Sequence, residues 1–135
     1  MSLIGWWKLD GNAYDSSSNR KNGTVSGATT NTAGITGSTY EFDASTERIT
    51  ISGDTLDSQI INQFSFSCWF MFGVSILTSW VLSKQDAYTD YNTGIVVRTY
   101  ADSALFRVGN GTDYTSIAAA GSLVVGQWHH LAGTY

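Results

Sequence analysis

The chain of 135 residues contains no proline. Its turns must be made by Gly, Asn and Asp, which tolerate left-handed backbone or bond their own main chain. Cysteine is nearly absent: Cys68 stands alone, which excludes an internal disulfide. It lies in the apolar run FSFSCWFMF and reads as a small buried hydrophobe rather than a reactive thiol. Charge is sparse, 13% of residues against the roughly 25% of an average domain. The 7 Lys and Arg form no cluster and the formal net charge is −4, which excludes the basic footprint of a nucleic-acid-binding surface. The opening MSLIGWWKLDGNAYD has no basic start and soon turns polar, so it does not read as a signal peptide.

An unbroken apolar run is missing as well. FSFSCWFMFGVSILTSWVLSK approaches the length of a membrane span, but Ser65, Ser67, Gly73, Ser75, Thr78 and Ser79 interrupt it. Its first half alternates, with Phe64, Phe66, Cys68, Phe70 and Phe72 on one face and Ser65, Ser67, Trp69 and Met71 on the other. That period of two is a strand pattern, and the run is expected to form two strands separated near Gly73 to Ser75, not a transmembrane helix.

What is present is enough for one core: 42% of residues are hydrophobic and 13% aromatic. Polarity comes mainly from Ser, Thr, Asn and Gly. Short alternating segments follow one another: LIGWWKL, STYEFDA, ERITISG, TGIVVRTYA, ALFRVGNG, DYTSIAAAG and GQWHHLAGTY. A turn at Ser45–Thr46 splits the second from the third, and DSSSNRKNGT is a loop of Asx and Ser turn formers. Only TLDSQIINQ, with Leu56, Ile60 and Ile61 on one side, has the spacing of a helical turn. Asn22 and Asn110 each open an Asn-Gly-Thr sequon, and Asn-Gly reads equally as a tight turn. Many short strands at this spacing predict an all-β antiparallel sandwich or barrel, and no internal repeat points to a propeller or solenoid.

Two constellations stand out on this pattern. Adjacent residues on a strand face opposite ways, so His129 and His130 cannot share a metal. With Trp128 set into the core, His130 and Ala132 follow it inward while His129 and Leu131 face away. Aromatic surface is the second. Trp6 and Trp7 must point to opposite faces of a strand, and Tyr88, Tyr91, Tyr100 and Tyr114 lie in or near turns. The segment QDAYTDYNTG offers the best ligand rim, Tyr88, Asp90, Tyr91 and Asn92, because sugars are held by aromatic faces flanked by a few polar groups.

The order of motifs resembles a known family. IGWWKLD, DSSSNRKNGT, GSTYEFDAS with ERITI, FSFSCWFMF, WVLSK and WHHLAGTY succeed one another as in the concanavalin A-like lectin/glucanase superfamily, and most like its laminin-G-like jelly-roll domains. The resemblance covers nearly the whole chain. It implies a two-sheet antiparallel β-sandwich over residues 1–135 as a single domain, without the strands that such domains carry after the WHHLAGTY strand. Three arrangements then follow: the sequence is a piece of a longer one, a second copy or a partner chain completes the sheets, or a compact variant closes them with fewer strands. Ser18 and Ala44 stand where the family pattern usually has Gly.

The resemblance also implies chemistry. Relatives of this type often hold calcium, and Asp10, Asp15, Asn19, Asn22 and Asp43 supply suitable oxygens in two loops that the family brings close. Glucanases of the superfamily carry paired carboxylates on one strand face. Here Glu41 and Asp43 share a face, but Glu47 comes one residue too late, beyond a turn. The expectation is therefore a non-enzymatic recognition or adhesion module, extracellular or on a virion surface, taking a glycan or protein ligand with calcium as an implied cofactor. The alternatives are a structural or decorating component of a larger assembly such as a phage virion, and a glucanase.

Overall fold

The computed structural model describes residues 3–52, 63–73, 78–84, 93–100, 102–121 and 123–135. Alternating segments punctuated by Gly, Asn and Asp form strands and tight turns; among the described residues there is no helix, and every strand pair is antiparallel. The all-β expectation holds at that level. The helical spacing noted over TLDSQIINQ falls almost wholly outside the described residues. The chain packs as two units, Met1–Phe64 and Ser65–Tyr135.

The first unit contains four short strands, β1 (Gly23–Ser26), β2 (Thr29–Asn31), β3 (Thr39–Glu41) and β4 (Arg48–Ile51). β1 pairs with β4 and β2 with β3, each as a two-stranded sheet. The segment LIGWWKL, expected as a strand, contributes only an isolated bridge between Trp7 and Asp15. Its backbone is claimed by a side chain, since the Trp6 N–H donates to Asp15 Oδ1 at 2.8 Å. Leu9, at φ 58°, then turns the chain out of extended geometry. Asn22–Gly23 is not a hairpin tip. Gly23 starts β1, where a Cβ would stand 2.5 Å from Ile49 Cγ2 and 3.1 Å from Ala13 Cβ, so close packing requires the glycine.

The second unit holds β5 (Ser65–Met71), β6 (Ser79–Lys84), β7 (Thr93–Tyr100), β8 (Ser103–Asn110), β9 (Tyr114–Ala120) and β10 (Trp128–Thr134). The membrane-length run thus becomes β5 and β6, as its alternation predicts; Phe64 and Phe72 are buried while Ser65, Ser67, Trp69 and Met71 are exposed. β6 to β9 form a four-stranded meander in chain order. Its core lies along β7, where Ile95, Val96, Val97 and Thr99 are buried. Each such Val or Ile stabilises by roughly 1.5–3 kcal/mol relative to exposure. The buried Thr99 hydroxyl is satisfied by accepting from Ser79 N at 3.2 Å.

β10 lies antiparallel to β5, with Leu131 opposite Cys68 and Gly133 opposite Phe66. This register corrects the facing inferred from Trp128. His129 and Leu131 share the half-buried side with Phe66, Cys68 and Phe70, whereas His130 and Ala132 are exposed. The His130 ring lies against exposed Trp69, centroids 4.8 Å apart. The inner side meets the four-stranded sheet where Phe66 packs on Phe106 at 4.9 Å. Burial pushes the Cys68 thiol up to about 11, so it stays protonated and packs as a small hydrophobe.

Candidate functional site

The loop DSSSNRKNGT folds around one carboxylate. Asp15 is 6% exposed. Its Oδ1 accepts from Trp6 N and Ser17 N, and its Oδ2 from Ser17 Oγ and Lys21 N, all at 2.8 Å. Burial alone raises a carboxyl pKa, but these bonds from Trp6, Ser17 and Lys21 outweigh it and hold Asp15 down at about 2. Asn22 Oδ1 accepts from Asp15 N at 3.0 Å, and Asn19 Nδ2 donates to Ile4 O at 2.8 Å. Three of the five residues named as calcium ligands therefore meet in this loop, as its internal bracing.

The other two are placed apart in their roles. Asp10 Oδ1 accepts from Ser38 N at 2.8 Å beside Gly37, whose φ of 72° and contact with the Asp10 carboxylate leave no room for a side chain. Asp43 lies in the β3–β4 turn, its N–H donating to Glu47 Oε2 at 2.6 Å. Among the described residues no group of three His, Cys, Asp or Glu converges where an ion could sit. Asp15 in particular has each oxygen engaged by two donors and offers no vacant lone pair. Two of the three carboxylates weighed for glucanase chemistry are engaged: Glu41 Oε1 accepts from Asn31 Nδ2, and Glu47 Oε2 also accepts from Ala44 N at 3.3 Å.

Tyr88, Asp90, Tyr91 and Asn92, expected as a ligand rim, lie outside the described residues. A rim of the same composition forms two turns later in the chain, with Tyr135 joining it from beyond β10. The β8–β9 turn is organised by Asn110, whose Oδ1 accepts from Thr112 N and Asp113 N at 3.0 and 2.9 Å. Gly111, at φ 94°, supplies the left-handed step, so this Asn-Gly is the tight turn its sequence predicts. Asp113 Oδ1 accepts from Tyr114 N at 2.7 Å. Beside the turn is a shallow open cleft of about 100 Å³, lined by Val108, Asn110, Asp113, Tyr114, Thr115 and Tyr135.

Two tyrosines give this cleft its character. Tyr114 and Tyr135 are 43% and 50% exposed. The Arg107 guanidinium sits 4.0 Å from the Tyr114 ring centroid, a cation–π contact that fixes the ring's orientation. The turn uses Asn110 Oδ1 and Asp113 Oδ1, which leaves the Asn110 amide as donor and Asp113 Oδ2 as acceptor beside the two rings. The exposed surface of the cleft is mainly polar, with two tyrosines among its lining residues, a setting that suits a small hydroxylated ligand. Sequence reasoning marked Tyr114 as a turn tyrosine but missed its neighbours. The signal was available, because NGTDY repeats the Tyr, Asp and Asn content of DAYTDYN.

No protein-family model matches the chain, and searches among curated proteins and solved structures find no match either. Among the described residues no helix is long and apolar enough to cross a membrane.

Proposed function

We propose that the chain is a non-enzymatic recognition module that binds a neutral saccharide ring in the cleft at the β8–β9 turn. The observation that carries this reading is the pair of half-exposed tyrosines, Tyr114 and Tyr135, lining one cleft with Asn110 and Asp113. At about 100 Å³ the cleft is smaller than a drug-sized pocket, so it offers a shallow rest for one sugar ring at a time. The motif order of the sequence supports the finer fold reading, a concanavalin A-like jelly roll with laminin-G-like strands. Because the ligand is met by two tyrosines and an amide–carboxylate pair, binding is independent of calcium.

The test is a screen on immobilised neutral glycans followed by titration of the best ligand. Tyr114→Ala and Tyr135→Ala are each expected to weaken binding at least about tenfold, equal to about 1.4 kcal/mol. Addition of EDTA is expected to leave affinity unchanged. Failure to bind any glycan, or full affinity in the double tyrosine variant, would overturn the proposal.

A further inference from the structure

The two edges of the four-stranded sheet are built differently. At one edge, β6 carries a register shift between Trp80 and Leu82 and ends on Lys84. Bulges and lysines are the usual means of keeping a sheet edge from pairing with another chain. At the other edge, β9 has none of these devices. Its register with β8 runs unbroken from Gly109↔Tyr114 to Ser103↔Ala120. Its sequence, YTSIAAA, contains no charge and no proline. Residues 114–119 are all exposed, and Ile117, the central residue, is 64% exposed. Among the described residues β9 pairs with β8 alone, so its other side presents a row of backbone donors and acceptors.

From this contrast we infer that β9 is a pairing edge, and that its occupant is the β9 strand of a second copy of this chain, antiparallel across a twofold axis at Ile117. The strand is self-complementary in that arrangement. Ile117 meets its own counterpart, and the bulkier Tyr114, Thr115 and Ser116 run opposite the small alanines at 118–120. Having no charges, the strand brings no like charges together when it pairs with itself. A twofold interface is isologous, so one patch serves both copies. Main-chain hydrogen bonds supply the affinity, as in other cases of strand addition. A seven-residue seam is short, so association is concentration-dependent. The seam shares Tyr114 and Thr115 with the saccharide cleft, but the inference rests on the strand edge alone and stands whether or not a saccharide binds.

The test is sedimentation of the full chain from about 1 μM to 1 mM, together with amide hydrogen exchange. The mass is expected to rise from 14.6 kDa toward twice that value, with β9 amides gaining protection at the high end. Ile117→Lys puts two like charges on the axis and is expected to raise the dissociation constant at least tenfold. Ala119→Glu places charge elsewhere on the same strand and should act alike, and circular dichroism establishes that either variant is folded. The inference fails if the chain stays at 14.6 kDa throughout, if both folded variants dimerise undiminished, or if the outward-facing β9 amides, those not bonded to β8, are already protected in the monomer. That last outcome would mean another segment of the same chain covers the edge.

Discussion

Asp15 ties seven residues of loop to the start of the chain, and it does so as an anion. Its carboxyl titrates at about 2 when folded and at an ordinary 3.8 when the chain is unfolded. A depressed folded value means stability that is present above the unfolded value and lost as pH falls through the folded one. The window is therefore about pH 4 down to about pH 2, and the contribution at neutral pH is on the order of 2 kcal/mol. Asp15→Asn keeps the shape but turns an N–H₂ toward the Ser17 hydroxyl or the Lys21 N–H, setting donor against donor. It is expected to cost about 2–3 kcal/mol at pH 7 and to flatten the acid dependence between pH 4 and 2, both read from urea unfolding. None of this could be seen in the sequence. DSSSNRKNGT reads as a turn-rich loop, but the donors from Trp6 and Lys21 are set by the folded path, and no local pattern encodes them.

At the scale of elements, alternation was legible and facing was not. β5 and β9 appear in the sequence with nearly their observed bounds because a period of two is local. Which side of β10 faces in is decided by its register on β5, and register is a non-local property. Trp128 was a misleading anchor; Gly133 was the better one. A Cβ at Gly133 would run into the Phe66 ring and approach Phe106 Cδ1 to 3.3 Å, so the glycine marks the inward side. Gly133→Ala is accordingly expected to destabilise by about 1–3 kcal/mol through overpacking. Ala132→Val, one residue away on the exposed side, should stay within about 0.5 kcal/mol of the parent. Denaturant midpoints of the two variants make the comparison, and equal midpoints would mean the faces are assigned wrongly. The two Asn-Gly pairs teach the same lesson. Asn110–Gly111 turns a hairpin, whereas Asn22 spends its side chain on Asp15 and Gly23 enters a strand.

For the whole molecule, sparse charge has a direct consequence. A net charge of −4 at neutral pH vanishes near the isoelectric point of about 4.8, and little remains to keep copies apart. Solubility is expected to reach its minimum there. The first unit should nevertheless stay folded, because Asp15 is still ionised well above its folded value of about 2. Precipitate formed at pH 4.8 is thus expected to redissolve at pH 7 with its circular dichroism unchanged; an irreversible loss would show that unfolding, not charge neutrality, drives it. The all-β class was readable from composition and spacing at this scale. The division into two units was not, since no linker-like stretch announces it.

Seen from its donors, the Asp15 loop is an anion receptor whose guest is tethered to the host. Three main-chain N–H groups and one hydroxyl converge on a single negative group, the arrangement that elsewhere captures a free phosphate or carboxylate. Because the receptor is mostly backbone, its chemistry is indifferent to the side chains at Ser16, Ser18 and Arg20, all of which are exposed. The chain can vary freely at Ser16 and Ser18, whereas Arg20, at φ 51°, does not suit a β-branched replacement. The tether at position 15 has no such latitude, for the guest must arrive on a stalk of one length.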